Sequence, residues 1–261
     1  ILIKLIGLYD NLLPHEAQFY DRKFTVSFIL EMDGHIVQSS KVKLELLELN
    51  KNANICTLFH PLYTKYGKSK SKYDCREKLK IKAKFTILYF GLVRKYKGLD
   101  ILIEATSILK EMRSDFEVLA VGESYDDSEP LLKSIKNFKI GKLFRWENKF
   151  IPDDKISDYF SACDIVVLPY RSASQSGIVQ IAYHFNKPVI VTRVGGLPEI
   201  VEKGKSGDIV EPENPKELAN TISTYLDEKK IDEMSIFINS FKNKFSWDSF
   251  TEKMMDFINL I

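Results

Sequence analysis

Phe85-Thr86-Ile87-Leu88-Tyr89-Phe90-Gly91, followed one helix later by Phe116-Glu117-Val118-Leu119-Ala120-Val121-Gly122, decides the fold. Each segment is a mostly apolar, aromatic and β-branched run stopped by glycine, the pattern of a strand buried on both faces. Between them, residues 99–112 carry Leu102, Ala105, Leu109 and Met112 at spacings of three and four, which predicts an amphipathic helix. Two buried strands joined through one helix make a βαβ unit with parallel strands.

Toward the C-terminus the alternation continues. Helices are expected at 130–135, 154–162, 177–185, 197–202 and 215–228, and strands at 143–146, 164–168, 188–192 and 208–210. The expected fold class is therefore α/β, with a Rossmann-like doubly wound parallel sheet over residues 85–243. Toward the N-terminus the pattern is shorter. Strands are expected at 1–9, 34–40 and 56–61 and helices at 21–29 and 41–49, the second capped by Ser39 or Ser40. Residues 1–62 are too few to close a doubly wound sheet and read as a partial second α/β domain. Residues 63–84 form a basic linker, and 244–261 add a closing helix that starts at Trp247.

With 38 Lys and Arg against 36 Asp and Glu, the 261-residue chain carries a net charge of +2 and gives no general case for nucleic acid. Its 44% hydrophobic and 28% charged residues describe a folded globular chain, not a disordered one. The longest apolar runs, such as Ile165-Val166-Val167-Leu168, fall far short of the ~18 residues of a membrane span. The opening Ile1-Leu2-Ile3 has no basic leader, so no signal peptide is expected. Cys56, Cys75 and Cys163 lack metal-ligand spacing, which points to a reducing, cytoplasmic location and no metal site. One stretch deviates. Residues 65–84 hold nine Lys and Arg against Asp74 and Glu77. They read either as a solvated linker with one amphipathic helix or as a peripheral contact with anionic lipid at the inner face of a membrane.

Nine of the twelve glycines lie between Gly91 and Gly207, several just after a strand. Ligands of open α/β sheets bind outside the carboxyl ends of the strands, so the loops at Gly91, Gly122, 169–177 and 192–196 are the candidate site. Gly91-Leu92-Val93-Arg94-Lys95-Tyr96-Lys97-Gly98 places three cations before a helix, where they oppose the macrodipole unless an anion lies between. Ser174-Gln175-Ser176-Gly177-Ile178 offers either a helix cap or a phosphate cradle. Gly195-Gly196, followed by Leu197-Pro198-Glu199, offers free amides or a tight turn.

Five colinear runs carry a resemblance over residues 85 to about 225: ILYFGLVRKYKGLDILIEA, VLAVGE, SACDIVVLPY, KPVIVTRVGGLPEIVEKGKSGDIV and PKELANTI. The chain resembles family 4 glycosyltransferases of the GT-B fold, and YDNLLPHE and IVQSSKVKLELLEL are similar to the end of their N-terminal, acceptor-binding domain. The resemblance implies metal-independent, retaining transfer of a sugar from a UDP- or GDP-type donor to a glycan or lipid-linked acceptor. It makes Lys97, with Arg94 as partner, the neutraliser of the leaving diphosphate. Gly91, Gly122, Ser174, Gln175, Ser176, Gly177, Ile178, Gly195, Gly196 and Glu199 would face the donor, and Asp10 and His15 the acceptor. The departures are specific. The family's usual arginine falls where this chain has Leu92, and the two glutamates usual around the Gly177 helix are absent, leaving Gln175 and Gln180 as the long polar side chains.

Two other readings are open to the residues. One is a nucleotide-sugar-binding unit without transfer activity, which the missing glutamates favour. The other is a Rossmann oxidoreductase, but no G-x-G-x-x-G follows a strand and no acidic ribose ligand follows at the expected distance.

Overall fold

Residues 3–12 and 21–261 are described by the computed structural model of the chain. The N-terminal part builds strand β1 (Ile6–Tyr9), helix α1 (Asp21–Leu30), β2 (Gly34–Val37), α2 (Ser40–Leu49) and β3 (Ile55–Thr57). The three strands pair in parallel in the order β1-β2-β3, with Leu8 opposite Ile36 and Ile36 opposite Cys56. Strand β2 stops before Ser39 because that hydroxyl turns to accept the Val42 amide hydrogen and starts α2.

Helix α3 (Lys72–Lys78) precedes the main sheet, whose elements follow as β4 (Phe85–Phe90), α4 (Leu99–Leu109), β5 (Phe116–Val121), α5 (Glu129–Asn137), β6 (Phe144–Glu147), α6 (Asp153–Ala162), β7 (Ile165–Leu168), α7 (Gly177–His184), β8 (Val189–Thr192), β9 (Gly207–Val210), α8 (Pro215–Tyr225), α9 (Glu228–Phe241) and α10 (Trp247–Leu260). The six strands are parallel in the order β6-β5-β4-β7-β8-β9. Alternate residues of β4 serve opposite cores. Phe85, Ile87 and Tyr89 pack with α4 and α8, whereas Leu88 packs with α6 and α7. Helices on both faces make the sheet doubly wound, and the connection after β4 runs to β5 on one side while that after β7 runs to β8 on the other. The crevice between the ends of β4 and β7 is thus the topological switch point.

Two expectations change. The single helix at 215–228 is two: α8 ends at Tyr225, and the Asp227 carboxylate accepts the Lys230 amide hydrogen to cap α9. Residues 63–84 hold the one helix expected there, but the stretch is tied to the main sheet rather than free of it. Helix α3 is capped by Ser71, buries Cys75 and lies against α6. Its cations, and Lys70 just before it, reach two carboxylates exposed by only 2%: Lys70 (2.6 Å) and Lys78 pair with Asp158, and Lys72 (2.5 Å) and Arg76 (2.6 Å) with Asp164. Lys65 pairs with Asp153 and Lys84 with Glu228, so six of the nine cations meet internal partners.

Helix α10 ties the two sheets together. Trp247 Nε1 donates to Leu62 O and Lys4 Nζ to Ile258 O. A side chain at Gly34 would come within 2.5 Å of Ile261 Cδ1. Among the described residues, no helix is long and apolar enough to cross a membrane.

Candidate active site

At the switch point β4 ends and Gly91 turns with φ +109°. The strap that follows curls through a 3₁₀ turn at Lys95–Lys97 and enters α4 at Gly98, φ +67°. A Cβ at Gly98 would lie 2.0 Å from Pro169 O, so the loops after β4 and β7 touch through this glycine. Lys97 is thereby half-buried, its ammonium 5.9 Å above the Tyr170 ring and 3.4 Å from where a Gly91 side chain would begin. Burial, and secondarily the charge of Arg94, lower its pKa to about 8. An anion beside Lys97 would restore the charge that burial disfavours.

Such an anion has a place. Lys97 faces a cavity of about 330 Å³ that Tyr63, Tyr66, Gln175, Ser176 and Gly177 also line. It opens at the N-terminal end of α7, where Ser176 Oγ accepts the Ile178 amide hydrogen. Ile178, Ala173 and Ile181 supply apolar wall, and among the described residues no Asp or Glu lines the cavity. A second cavity of about 210 Å³ adjoins it through Tyr66, lined by Gly91, Gly122, Lys149, Phe150 and Ile151. Both cavities, together a slot, lie at the carboxyl ends of the central strands, the first lined by Lys97 and the second by the exposed Phe150 ring together with Glu123 and Asp153. Gly122 (φ +147°) serves the construction of that slot, because a Cβ there would fall 1.9 Å from Gly91 O.

Several sequence-predicted residues are not brought together here. Arg94 turns away from Lys97. Its Nη1 lies 3.4 Å from Asp126 Oδ1, its guanidinium is over Tyr125, and it faces a third cavity of about 760 Å³, with Lys95 and Arg171, that shares Tyr96 with the first. The Gly195-Gly196 turn is closed rather than open. Gly196 donates its amide hydrogen to Ser174 O at 2.8 Å, and a Cβ on Gly195 (φ +50°) would fall 1.7 Å from Ala173 O. Ser174 is itself buried. Glu199 accepts from the Ser40 amide (3.0 and 3.1 Å) and from Ser40 Oγ (2.8 Å), capping α2 from the other sheet. Gln180 is 1% exposed, with Oε1 unpartnered. His15 lies outside the described residues. Asp10, on the loop after β1, is close enough for its charge to raise the Tyr63 pKa, behind the larger effects of burial and Tyr66.

Tyr63 and Tyr66 are functional candidates that the sequence reading passed over inside its linker. Two tyrosines three apart between Pro61 and Gly67 were the available signal.

The model for Glycosyl transferases group 1 matches residues 72–256. An uncharacterised glycosyltransferase of Methanocaldococcus jannaschii is 30% identical over 162 residues, covering 62% of this chain and 44% of that protein. A D-inositol 3-phosphate glycosyltransferase of Catenulispora acidiphila is 30% identical over 152 residues, covering 55% of this chain and 36% of that protein. The matched segment thus spans less than half of either relative. Among solved structures, HepE of Anabaena in complex with UDP superposes with a TM-score of 0.85 at 19% identity, covering 99% of this chain and 72% of that one. A glycosyltransferase from Rickettsia africae gives 0.78 at 22% identity, covering 96% of this chain and 69% of that one. The main sheet is the Rossmann-like half of a GT-B architecture, and the chain belongs to the glycosyl transferases group 1 family.

Proposed function

We propose that the chain binds a nucleoside-diphosphate sugar of UDP or GDP type in the slot at the switch point and takes part in transferring the sugar to a glycan or lipid-linked acceptor. The observation that carries this reading is the half-buried Lys97 facing a cavity at the start of α7 that no carboxylate lines among the described residues, next to a second cavity sized for a base. The diphosphate takes Lys97 and the α7 N-terminus, while the base takes the Gly91–Gly122–Phe150 end. As the bond to the sugar breaks, negative charge grows on the leaving phosphate, where Lys97 is already placed to stabilise it. Arg94 joins it only by leaving Asp126, an exposed pairing that costs little to break. Retention, a family 4 type of chemistry and independence of divalent metal are part of the proposal. So are the cytoplasmic location and the contribution of His15 and Asp10 to the acceptor side. The HepE complex with UDP, on the same fold, supports the nucleotide assignment.

Calorimetric titration with UDP, GDP and ADP without divalent metal tests the reading. Saturable binding of one nucleotide is expected, lost in Lys97→Ala. Absence of binding at millimolar nucleotide, about −4 kcal/mol or weaker, would overturn it. A second reading, a nucleotide-sugar-binding unit without transfer, is favoured by a cavity lining that holds no carboxylate among the described residues. Release of nucleoside diphosphate from the donor in the presence of acceptor separates the two.

A further inference from the structure

The segment between β3 and α3 folds back over the start of α7. Tyr63 lies so close to Gly177 that a Cβ there would meet its Cε2 at 2.7 Å and its hydroxyl at 3.0 Å. The hydroxyl end of Tyr63 therefore stands at the first residue of α7, in the cavity that Lys97 faces. Its orientation is set by His60. His60 Nδ1 is 2.7 Å from Pro61 O, and a carbonyl only accepts, so Nδ1 carries the hydrogen. Nε2 of the neutral ring then accepts, and the Tyr63 hydroxyl 3.0 Å away donates to it. The two rings stack at 4.6 Å, which fixes the pair. With its hydrogen engaged by His60, Tyr63 Oη presents only lone pairs to the cavity.

That polarity selects a ligand group. A diphosphate at neutral pH has acceptor oxygens and few hydrogens to give, so it gains nothing from an oxygen that only accepts. A sugar hydroxyl does gain, because it must place its own hydrogen on an acceptor once water is excluded. Among the described residues no carboxylate lines this cavity, and Ser176 Oγ already accepts from Ile178. Gln175 and the hydroxyls of Tyr63, Tyr66, Tyr96 and Tyr170 are the other side-chain oxygens there, and that of Tyr63 has its hydrogen held by His60. We infer that Tyr63, oriented by His60 as a positioning residue, accepts a hydrogen bond from a hydroxyl of the donor's neutral hexosyl group and so distinguishes the nucleotide-sugar from the bare nucleotide. The inference rests on the donor-binding reading above and deepens it.

The test is the ratio of two affinities measured on the full chain by calorimetry, UDP against UDP-glucose and GDP against GDP-mannose. Tyr63→Phe keeps the ring and removes the acceptor. It is expected to weaken the bound nucleotide-sugar about five- to tenfold while leaving its nucleoside diphosphate within about twofold. His60→Ala, which frees the tyrosine hydrogen to turn inward, is expected to weaken the nucleotide-sugar in the same direction. In the double variant the two effects do not add, because His60 acts only through Tyr63. Equal losses for sugar-nucleotide and nucleotide, no loss in Tyr63→Phe, or additive losses would each overturn the assignment. A wild-type chain that binds neither nucleotide would instead overturn the donor-binding reading beneath it.

Discussion

Two basic stretches of this chain look alike in sequence and end in opposite situations. Residues 65–84 carry nine cations and residues 94–97 carry three. In the first, Asp158 and Asp164 rise from α6 and the start of β7 to meet Lys70, Lys72, Arg76 and Lys78. In the second, Lys97 is drawn into a cavity whose lining holds no carboxylate among the described residues. The difference lies in where the counter-charge comes from. The first group is neutralised by the protein itself and holds α3 against the sheet. The second is desolvated without neutralisation, an arrangement that costs stability and that an anionic ligand relieves.

Removing one charge from each region should therefore give unlike results. Asp164→Ala strands Lys72 and Arg76 and also leaves the Thr86 amide, now 2.6 Å from Asp164 Oδ2, without its acceptor. Breaking a buried pair in this way costs about 3–5 kcal/mol, read as a fall in the denaturant midpoint. A loss below about 1 kcal/mol would show that the pairing is no firmer than a surface one. Acid should act on the same cluster. Burial raises the Asp158 pKa, but Lys70 and Lys78 outweigh it and hold the carboxyl below its ordinary value. The stability contributed is present above the ordinary carboxylate range, near 3.9, and is lost as pH falls through the lowered value.

Lys97→Met should do the reverse. Deleting a desolvated ammonium leaves the ligand-free protein as stable or more so, by on the order of 1 kcal/mol, or about 2–4 °C in Tm. Nucleoside diphosphate affinity should fall about 10- to 100-fold, the worth of a charge-assisted bond. A protein destabilised by this change would mean that Lys97 is structural. The pH dependence sharpens the point. With the pKa lowered to about 8, the amine is neutral above that pH, and a bound diphosphate must restore the proton. Affinity should therefore weaken as pH rises past 8, by up to about tenfold per unit. The ligand-free fold moves the other way, gaining stability between pH 8 and the ordinary lysine value near 10.4. A flat affinity profile from pH 7 to 9.5 would exclude a charged Lys97 from the binding step.

How much of this was legible follows from sequence distance. The main sheet was readable because each strand is buried on both faces, so Ile87, Leu88, Val166 and Val167 announce it locally. The parallel sense of the strands came with it, through the connection rules, whereas their order is a finding of the structure. The ends of elements were less clear, as at Asp227, where one side-chain oxygen decides whether a helix continues or restarts. Lys97, Gln175 and Ser176 were legible because they stand on strand-to-helix loops whose place the fold fixes. The partners of the basic segment were not, since the Lys72 counter-charge is 92 residues away. Tyr63 and His60 were missed for the same reason. Nothing in residues 60–66 says that the segment folds over α7.

Glu199 is the smallest of these effects and decides between two roles for one side chain. The resemblance puts it on the donor edge, whereas the structure puts it on the first turn of α2, 159 residues back in sequence. As a carboxylate at a helix N-terminus it contributes about 0.3–1 kcal/mol, and it also joins the two sheets beside the Gly195-Gly196 turn. Gly196 has no room for a side chain there, with Ser39 Cβ 2.5 Å from where its Cβ would sit. Glu199→Gln should lower stability by a few tenths of a kcal/mol to about 1 kcal/mol and leave nucleotide affinity within about twofold. The effect of Ser40→Ala should shrink in the Glu199→Gln background, because the two share one hydrogen bond. Unchanged stability with a large loss of nucleotide affinity would return Glu199 to the donor edge. The Gly195-Gly196 turn would then have to open toward the ligand by giving up its bond to Ser174 O.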